Sequence, residues 1–383
     1  MEEAEQIEYE LVDNQNELEK VARELGAQDE IAGDLEADSM FHYKERVCLL
    51  QLSTRDSTWL VDPFAVDSMS PIAPVFADAG IRKIFHGADY DVRCLYRDYA
   101  MEINNLFDTQ LAARYLGLQE TGLANLLENF FGLHLEKKYQ KKNWAQRPLP
   151  EKMLSYAAHD TLYLFELSDK LRGMLKEKGR LYWVEEECEL LSNNRPALKD
   201  DNPLFMRFKG AGRLDPRSLA VLEMLLGFRE DMARRMDRPP FKVMGNTPIL
   251  EMASRKPDSL RALKKVNGLS PKQVGRFGRQ LLDRINTALD IPESELPRYP
   301  HKKRKSSGPL VAKRVGALKE WRQEKAAELE IDPAAVMTNT QIRNLAAAKP
   351  PPETPQELEN VREIRHWQAV EFGEELIPLL SAC

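Results

Sequence analysis

The alternation of apolar and polar positions changes character about half-way along this chain of 383 residues. Up to about residue 200, short apolar runs of strand-like composition alternate with stretches whose apolar residues recur at helical spacing. After Pro203 the strand-like runs stop and only helical periodicity continues. The pattern therefore predicts an α/β N-terminal part followed by an all-α C-terminal part.

Strand and helix signals in the first half are short and closely spaced. The predicted strands are 7–12, 30–36, 47–52, 58–61, 81–85 and 106–107, and the predicted helices are 17–25, 90–99, 109–115, 123–130 and 150–175. The connections around the third strand are too short for a parallel crossover, so antiparallel pairing is expected there. The later strands alternate with helices, as in β-α-β units. We expect a mixed sheet flanked by helices.

An internal repeat organises the helical part of the chain. Matching residues are 93 positions apart from Arg229 and Arg322 onwards, and 95 apart from Leu263 and Leu358 onwards. This predicts two copies of one small helical domain, at 206–292 and 310–383, after an N-terminal domain at 1–205. Residues 293–309, which contain prolines and the basic run 301–305, are predicted to form a linker between the copies.

The net charge of −6 hides an uneven distribution. Residues 207–320 contain 26 lysines and arginines against 12 aspartates and glutamates. This arrangement is typical of proteins in which one part binds a polyanion and another gathers cations, although solvated helix faces also produce it.

Other features of the sequence limit where the protein works. It has no apolar stretch near the ~20 residues that span a bilayer and no basic, apolar leader at its N-terminus. Four cysteines without metal-ligand or disulfide spacing are typical of a reducing compartment. We expect a soluble, cytoplasmic protein with no membrane partner, and a monomer.

Two acidic residues interrupt an otherwise apolar predicted strand. Asp34 and Glu36 are two positions apart, so both side chains project from the same face. Neighbouring carboxylates repel each other unless a cation neutralises them, which makes them candidate metal ligands. A pair of acids at a solvated strand end is the alternative.

Further candidates lie on two predicted helices. Asp91 is in the first turn of a helix that follows a strand, where ligands gather in open mixed sheets. Asp89 competes with it, although an N-cap role suits the earlier residue better. Tyr156 and Asp160 are one helical turn apart and share a face. A half-buried tyrosine with a packing role is the alternative for Tyr156.

Together these residues indicate metal-assisted phosphoryl chemistry. The oxygen ligands of Asp34, Glu36, Asp91 and Asp160 suit two Mg²⁺ or Mn²⁺ ions, which can stabilise the attacking and leaving oxygens of an in-line displacement. A tyrosine with a free pKa of about 10 is a poor base at neutral pH. Tyr156 is therefore expected chiefly to position the attacking water.

The chain resembles the ribonuclease D family, the tyrosine-bearing DEDD exonucleases. The matching segments are 34–36, 49–53, 86–91, 107–109, Trp144, 147–149 and 156–160, in the family's order. The duplicated region resembles tandem HRDC domains. The resemblance implies an RNase H-like exonuclease fold and 3′-to-5′ hydrolysis of RNA to 5′-mononucleotides. The implied substrates are RNAs with a free 3′ end, such as tRNA precursors, and the metal and water-positioning roles are implied for the same five residues.

Several residues are candidates for RNA contact. They are His86, Tyr43, Lys264, Lys265, Lys272 and Arg276. A conformational role is the alternative for His86, and solvation is the alternative for the lysines. The turn 267–270 is expected to offer backbone N–H groups to phosphates at a helix start, and the second copy lacks this turn sequence. A 3′-to-5′ DNA exonuclease and an inactive RNA-binding adaptor are the alternative functions.

Overall fold

The computed structural model describes residues 8–135, 138–196, 202–300 and 308–382. The chain divides into two compact units. The first comprises Met1–Ala37, Val47–Pro196 and Lys305–Cys383, and the second comprises Asp38–Arg46 and Ala197–Arg304. The whole basic run predicted within the linker, 301–305, lies outside the described residues. Within the described ranges, no helix is both long enough and apolar enough to cross a membrane.

A six-stranded mixed sheet forms the centre of the first unit. Its strands are β1 (Glu10–Val12), β2 (Glu30–Ala37), β3 (Val47–Ser53), β4 (Thr58–Val61), β5 (Arg82–Phe85) and β6 (Leu106–Asp108), in the order β1-β4-β3-β2-β5-β6. β3 pairs antiparallel with β2 and β4, whereas β1–β4, β2–β5 and β5–β6 are parallel. The predicted mixed sheet is confirmed, with β2 near its middle.

Among the described residues, eight α-helices accompany this sheet. They are α1 (Gln15–Leu25), α2 (Ala73–Ala77), α3 (Asp89–Tyr99), α4 (Thr109–Tyr115), α5 (Leu123–Phe131), α6 (Glu151–Leu162), α7 (Leu164–Glu177) and α8 (Leu181–Ser192). The prediction of one helix over 150–175 is wrong, because α6 and α7 separate at Tyr163 (φ −96°, ψ 6°). The apolar periodicity continues through this break and conceals it. Helices α2 and α8 were not predicted.

Close packing constrains the two central strands, β3 and β2. Every residue of β3 is buried, as expected for a strand with helices on both faces. On β2, a Cβ atom at Gly33 would lie 2.5 Å from the ring of Phe85 on β5. Gly33 therefore leaves room for the Phe85 ring on the face of β2 opposite Asp34.

The helical part consists of two copies of one five-helix arrangement. The first copy is α9 (Pro216–Met236), α10 (Pro240–Val243), α11 (Asn246–Arg255), α12 (Leu260–Leu263) and α13 (Pro271–Leu289), and the second is α14 (Pro309–Leu329), α15 (Pro333–Val336), α16 (Asn339–Ala347), α17 (Pro355–Glu359) and α18 (His366–Ser381). Arg229 donates to the Met244 carbonyl (3.3 Å) and Arg322 to the Met337 carbonyl (3.0 Å) at corresponding positions. The predicted duplication is confirmed.

The second copy packs against α8 within the first unit. The Trp183 and Trp367 rings stack with their centroids 4.5 Å apart. Two backbone N–H groups at the start of α18 donate to the Glu186 carboxylate (2.7 and 2.8 Å). Arg365 donates to Glu187 at 2.9 Å. Stacking, capping and an ion pair thus join α18 to α8.

Candidate active site

Two acidic side chains lie on the same face of β2. Asp34 and Glu36 are two positions apart on this strand, so both project to one side of the sheet. In the pairing with β3, Asp34 lies opposite Gln51 and Glu36 opposite Leu49. Both carboxylates are half-buried. They are therefore not a fully solvated pair at a strand end.

The structure distinguishes Asp91 from its rival Asp89. Helix α3 begins at Asp89 and its N-cap is the preceding residue, so the expected capping role of Asp89 is wrong. The Asp89 carboxylate is exposed and accepts from Arg93 (2.6 Å) and Asn194 (2.7 Å). Asp91 is only 6% exposed, and its pKa is raised by burial and then by the charge of Asp34. Asp91 therefore lies near the β2 pair.

Helix α6 contributes Tyr156 and Asp160, which are hydrogen-bonded to each other. Tyr156 also hydrogen-bonds Gln140, and its ring centroid lies 5.7 Å from that of Tyr139 and 6.2 Å from that of the fully buried Trp144. Burial, followed by the Asp160 charge, raises the pKa of Tyr156 far above its ordinary value. Tyr156 therefore keeps its proton at neutral pH. Sequence reasoning missed Gln140 and Tyr139, because an ordinary loop pattern surrounds them.

The four carboxylates form one electrostatic cluster. Burial raises the pKa of Asp34 to about 7. Burial, and then the charges of Asp34, Asp160 and Asp91, raises the pKa of Glu36 well above its usual range. The pKa of Asp160 is raised by burial and by Asp34. Such a group is costly to ionise unless a cation neutralises it.

The chemistry of this cluster fits divalent cations. Buried carboxylate oxygens are the ligands that Mg²⁺ and Mn²⁺ prefer. Among the described residues, no three His, Cys, Asp or Glu side chains stand as a ready-made ligand set. The fit therefore rests on the donor type and the mutual repulsion of these acids.

Gln51 is a polar neighbour of the cluster that sequence reasoning did not single out. It is fully buried on β3 opposite Asp34, and neither its amide nitrogen nor its amide oxygen has a hydrogen-bond partner. Buried polar groups are rarely left unpaired, except at sites that bind something further. Gln51 thus adds an unpaired donor and acceptor beside Asp34.

His86 directly follows β5, and its side chain hydrogen-bonds a residue at the start of α4. Its Nδ1 lies 2.9 Å from the Thr109 hydroxyl, which donates to the Phe85 carbonyl (3.0 Å). Burial lowers the pKa of His86, so its ring is neutral at pH 7. These contacts favour the conformational alternative for His86.

Tyr43 lies in the segment 38–46, within the second unit. Its hydroxyl donates to Glu230 (3.2 Å), its backbone N–H donates to Asp237 (3.2 Å), and Arg234 stacks on its ring at 5.5 Å. His42 Nδ1 lies 2.7 Å from Asp237. Both side chains are therefore engaged with the first helical copy.

Four basic residues of the second unit form an exposed surface, called here the basic face: Lys264, Lys265, Lys272 and Arg276. The N–H groups of Asn267, Leu269 and Ser270 already donate to Glu251, Val266 and Gln273. The expected backbone cradle for a phosphate is therefore wrong for these three N–H groups.

Comparison with known families accounts for both parts of the chain. A 3′-5′ exonuclease model matches residues 9–176, and an HRDC domain model matches residues 218–285 and 311–380. The two HRDC matches coincide with the two helical copies.

Individual relatives agree with these matches. The Escherichia coli RNase D crystal structure, of an exoribonuclease involved in structured RNA processing, has a TM-score of 0.73 at 25% identity, covering 98% of this chain and 99% of that one. The catalytic core of RRP6 from Trypanosoma brucei gives 0.65 at 33% identity over 74% and 80% of the two chains. The chain belongs to the ribonuclease D family. Ribonuclease D of Granulibacter bethesdensis is 27% identical over 88% of this chain and 84% of its own.

Family membership establishes the class of reaction. The chain is a 3′-to-5′ exoribonuclease, a hydrolase that acts on RNA and depends on divalent metal. The predicted family, fold and enzyme class are confirmed. The Escherichia coli and Granulibacter bethesdensis relatives are both named ribonuclease D, and they favour neither a DNA exonuclease nor an inactive adaptor.

Proposed function

We propose that Asp34, Glu36, Asp91 and Asp160 hold two divalent cations, Mg²⁺ or Mn²⁺, for hydrolysis at the 3′ end of RNA. The observation that carries this proposal is the cluster of four carboxylates, supplied by β2, α3 and α6, whose pKa values are all raised by burial. When bound, the cations supply charge neutralisation and Lewis-acid activation. The protein supplies the geometry.

Tyr156 orients the attacking water and does not remove its proton. Its raised pKa keeps the phenol protonated, and its hydrogen bonds to Asp160 and Gln140 hold the hydroxyl in one direction. Tyr139 and Trp144 pack against the ring and restrict it. A fixed polar group of this kind lowers the entropic cost of reaching an in-line geometry.

The proposed substrate is RNA with a free 3′ end, with tRNA precursors as the expected class. The basic face binds the sugar-phosphate backbone through side-chain charge. His86 and Tyr43 are retained as candidate RNA contacts, although both side chains have protein partners. We also propose that the enzyme is a cytoplasmic monomer with domains at 1–205, 206–292 and 310–383. A linker at 293–309 joins the last two domains.

Matched RNA and DNA oligonucleotides test this function directly. The purified full chain should release 5′-mononucleotides from the RNA with a free 3′ hydroxyl, stop in EDTA, and recover with Mg²⁺ or Mn²⁺. Asp34→Asn should lose about a thousand-fold or more, because it removes a charge that a cation requires. RNA blocked by a 3′ phosphate is the control for end recognition. Cleavage that resists EDTA, or equal rates for wild type and Asp34→Asn, would contradict the proposal.

A further inference from the structure

Asp108 is a buried acid that the proposed chemistry does not use. It ends β6 and is 2% exposed. It lies in the segment 107–109, which is part of the family resemblance. It is not one of the proposed metal ligands. A buried carboxylate needs several hydrogen bonds to compensate for lost hydration. Its bonding partners therefore reveal what it stabilises.

The Asp108 carboxylate joins two helix starts. It accepts from the N–H groups of Gln110 (2.8 Å) and Leu111 (3.1 Å), so it is the N-cap of α4. It also accepts from the N–H groups of Gly87 (2.9 Å) and Ala88 (2.8 Å), which precede α3. The N-cap of α3 is Ala88, whose side chain provides no cap. A single side chain from a neighbouring strand thus caps both helices.

This double cap determines where α3 begins. The Ala88 carbonyl accepts from the Val92 N–H (2.9 Å), which is an opening hydrogen bond of α3. Asp91 lies in that same first turn, three residues after Ala88. The preceding Gly87 has φ +75°, which a residue with a side chain adopts only with strain. A displacement of Ala88 would therefore be passed directly to the Asp91 carboxylate.

The backbone of Asp108 is itself held in place. Its N–H donates to Cys188 Sγ on α8 (3.2 Å), and Phe85 of β5 lies opposite it in the parallel pair β5–β6. The side chain is fixed at one end by a strand and at the other by four N–H groups. It is thus a rigid connection between the sheet and α3.

We propose that Asp108 is a positioning residue that holds Asp91 in register with the carboxylates of β2 for metal binding. This inference rests on the proposed function, since it assumes that Asp91 is a metal ligand. Residues that orient metal ligands without touching the metal typically contribute about 10- to 100-fold to metal affinity or activity. Asp108 should contribute within that range.

The test compares Asp108→Asn with Asp215→Asn. An asparagine oxygen can keep the three bonds made by Oδ1, whereas its NH₂ group would face the Ala88 N–H, a donor meeting a donor. Asp215 caps α9 by accepting from the Ser218 N–H (2.9 Å), so its variant is a matched loss of a capping charge in the second unit. Asp108→Ser provides a further variant that retains a capping residue for α4.

Three measurements on the full chain decide the outcome. Relative to Asp215→Asn, Asp108→Asn and Asp108→Ser should bind Mn²⁺ about 10-fold or more weakly in an electron paramagnetic resonance titration. In metal-free protein they should lose hydrogen-exchange protection at Ala88 while Ile84 on β5 keeps it. The kcat on a short RNA should fall about 10- to 100-fold with a smaller change in KM, and excess Mn²⁺ should restore part of it.

The outcomes separate this inference from the proposed function. Unchanged Mn²⁺ affinity in both Asp108 variants, while wild type binds the ion, would overturn the role of Asp108. The same conclusion follows if Ala88 keeps its protection in both variants. Wild-type protein that binds no Mn²⁺ would instead refute the proposed metal site, and with it the premise of this inference.

Discussion

The two helical copies share a fold but present opposite chemistry on the surface around their last helix. At positions 95 apart, Lys272 of the first copy corresponds to Trp367 of the second, and Arg276 corresponds to Glu371. The first set is exposed and basic, whereas Trp367 is fully buried against α8. The same helical scaffold therefore carries a charged face in one copy and a packing face in the other.

The difference lies in side chains and not in the backbone. The residue two positions before the N-cap of the last helix has a positive φ in both copies, at Gly268 (+77°) and at Glu363 (+70°). The second copy lacks the turn's sequence but keeps its left-handed conformation, at a cost of about 1–2 kcal/mol for a residue with a side chain. The two copies therefore share one helical backbone arrangement, called here the frame, and differ in what its side chains contact.

Trp367→Ala tests the packing role and should produce the largest effect. It should lower the free energy of unfolding of the first unit by about 3–5 kcal/mol, because a large buried ring is removed. The corresponding Lys272→Ala should change stability by about 0.5 kcal/mol or less. Urea unfolding followed by circular dichroism measures both. Equal losses would show that the two faces are not different in kind.

Neutralising the basic face tests the charged role. Changing Lys264, Lys265, Lys272 and Arg276 to glutamine should weaken binding of long RNA about 10-fold or more at low salt. It should also reduce the slope of log affinity against log salt, by at most about 0.7 for each phosphate that is no longer neutralised. Filter binding at several salt concentrations measures this with Asp34→Asn protein, which should not degrade the RNA. Glutamine at Glu371 and Glu374 of the second copy is the control, and weaker RNA binding there would contradict the assignment.

The acidic cluster belongs to the first unit, so the stability of that unit should depend on pH in a way that the second unit does not share. Asp34 ionises near pH 3.9 when unfolded and near pH 7 when folded, so the folded state binds more protons between these values. Stability of the metal-free first unit should therefore fall as pH rises from about 4 to 7. Asp34→Asn should remove part of this loss and stabilise the metal-free protein at pH 7 by about 1 kcal/mol or more.

Tryptophan fluorescence isolates that effect, because all five tryptophans belong to the first unit. Urea midpoints in EDTA at pH 5 and pH 7 should differ less in Asp34→Asn than in wild type. Saturating Mn²⁺ should restore wild-type stability at pH 7. A wild type that becomes more stable between pH 5 and 7 to the same extent as the variant would contradict the raised pKa.

The smallest difference in stability between the two helical copies is expected for the variants Arg229→Lys and Arg322→Lys. Each arginine also donates to an asparagine side chain, Asn246 or Asn339, in addition to its carbonyl. Both bonds come from one nitrogen, Nη1, at the far end of the guanidinium. The shorter lysine side chain cannot place its ammonium group at the same point, so each variant should lose about 1–2 kcal/mol. Thermal unfolding of the two variants should give similar losses, because these hydrogen bonds belong to the shared frame. A loss confined to one copy would show that the frames are energetically distinct.

Much of the fold was predictable because it depends on local patterns. Period-two and period-3.6 apolar spacing located the strands and most helices, and the short connections required antiparallel pairing around β3. The repeat was visible as sequence identity at a fixed separation. The break at Tyr163 was not predictable, since the apolar stripe runs unchanged through it. Helix α2 has five residues, too few for periodicity to show.

The candidate site was only partly visible in the sequence. Spacing alone placed Asp34 with Glu36 and Tyr156 with Asp160, because strand and helix geometry fix which residues share a face. Gln51, Asp108 and Gln140 carry no such pattern. Their relevance comes from burial and from partners distant in the chain.

The sequence by itself determined the α/β and all-α parts, the duplication and the set of candidate carboxylates, because these follow from spacing along one chain. Only the tertiary structure placed Asp91, and not Asp89, beside the other acids, packed the second helical copy against α8, and raised the pKa values of the acids by burial. Those outcomes depend on which groups lose water and which charges meet across elements, and residues far apart in sequence determine both.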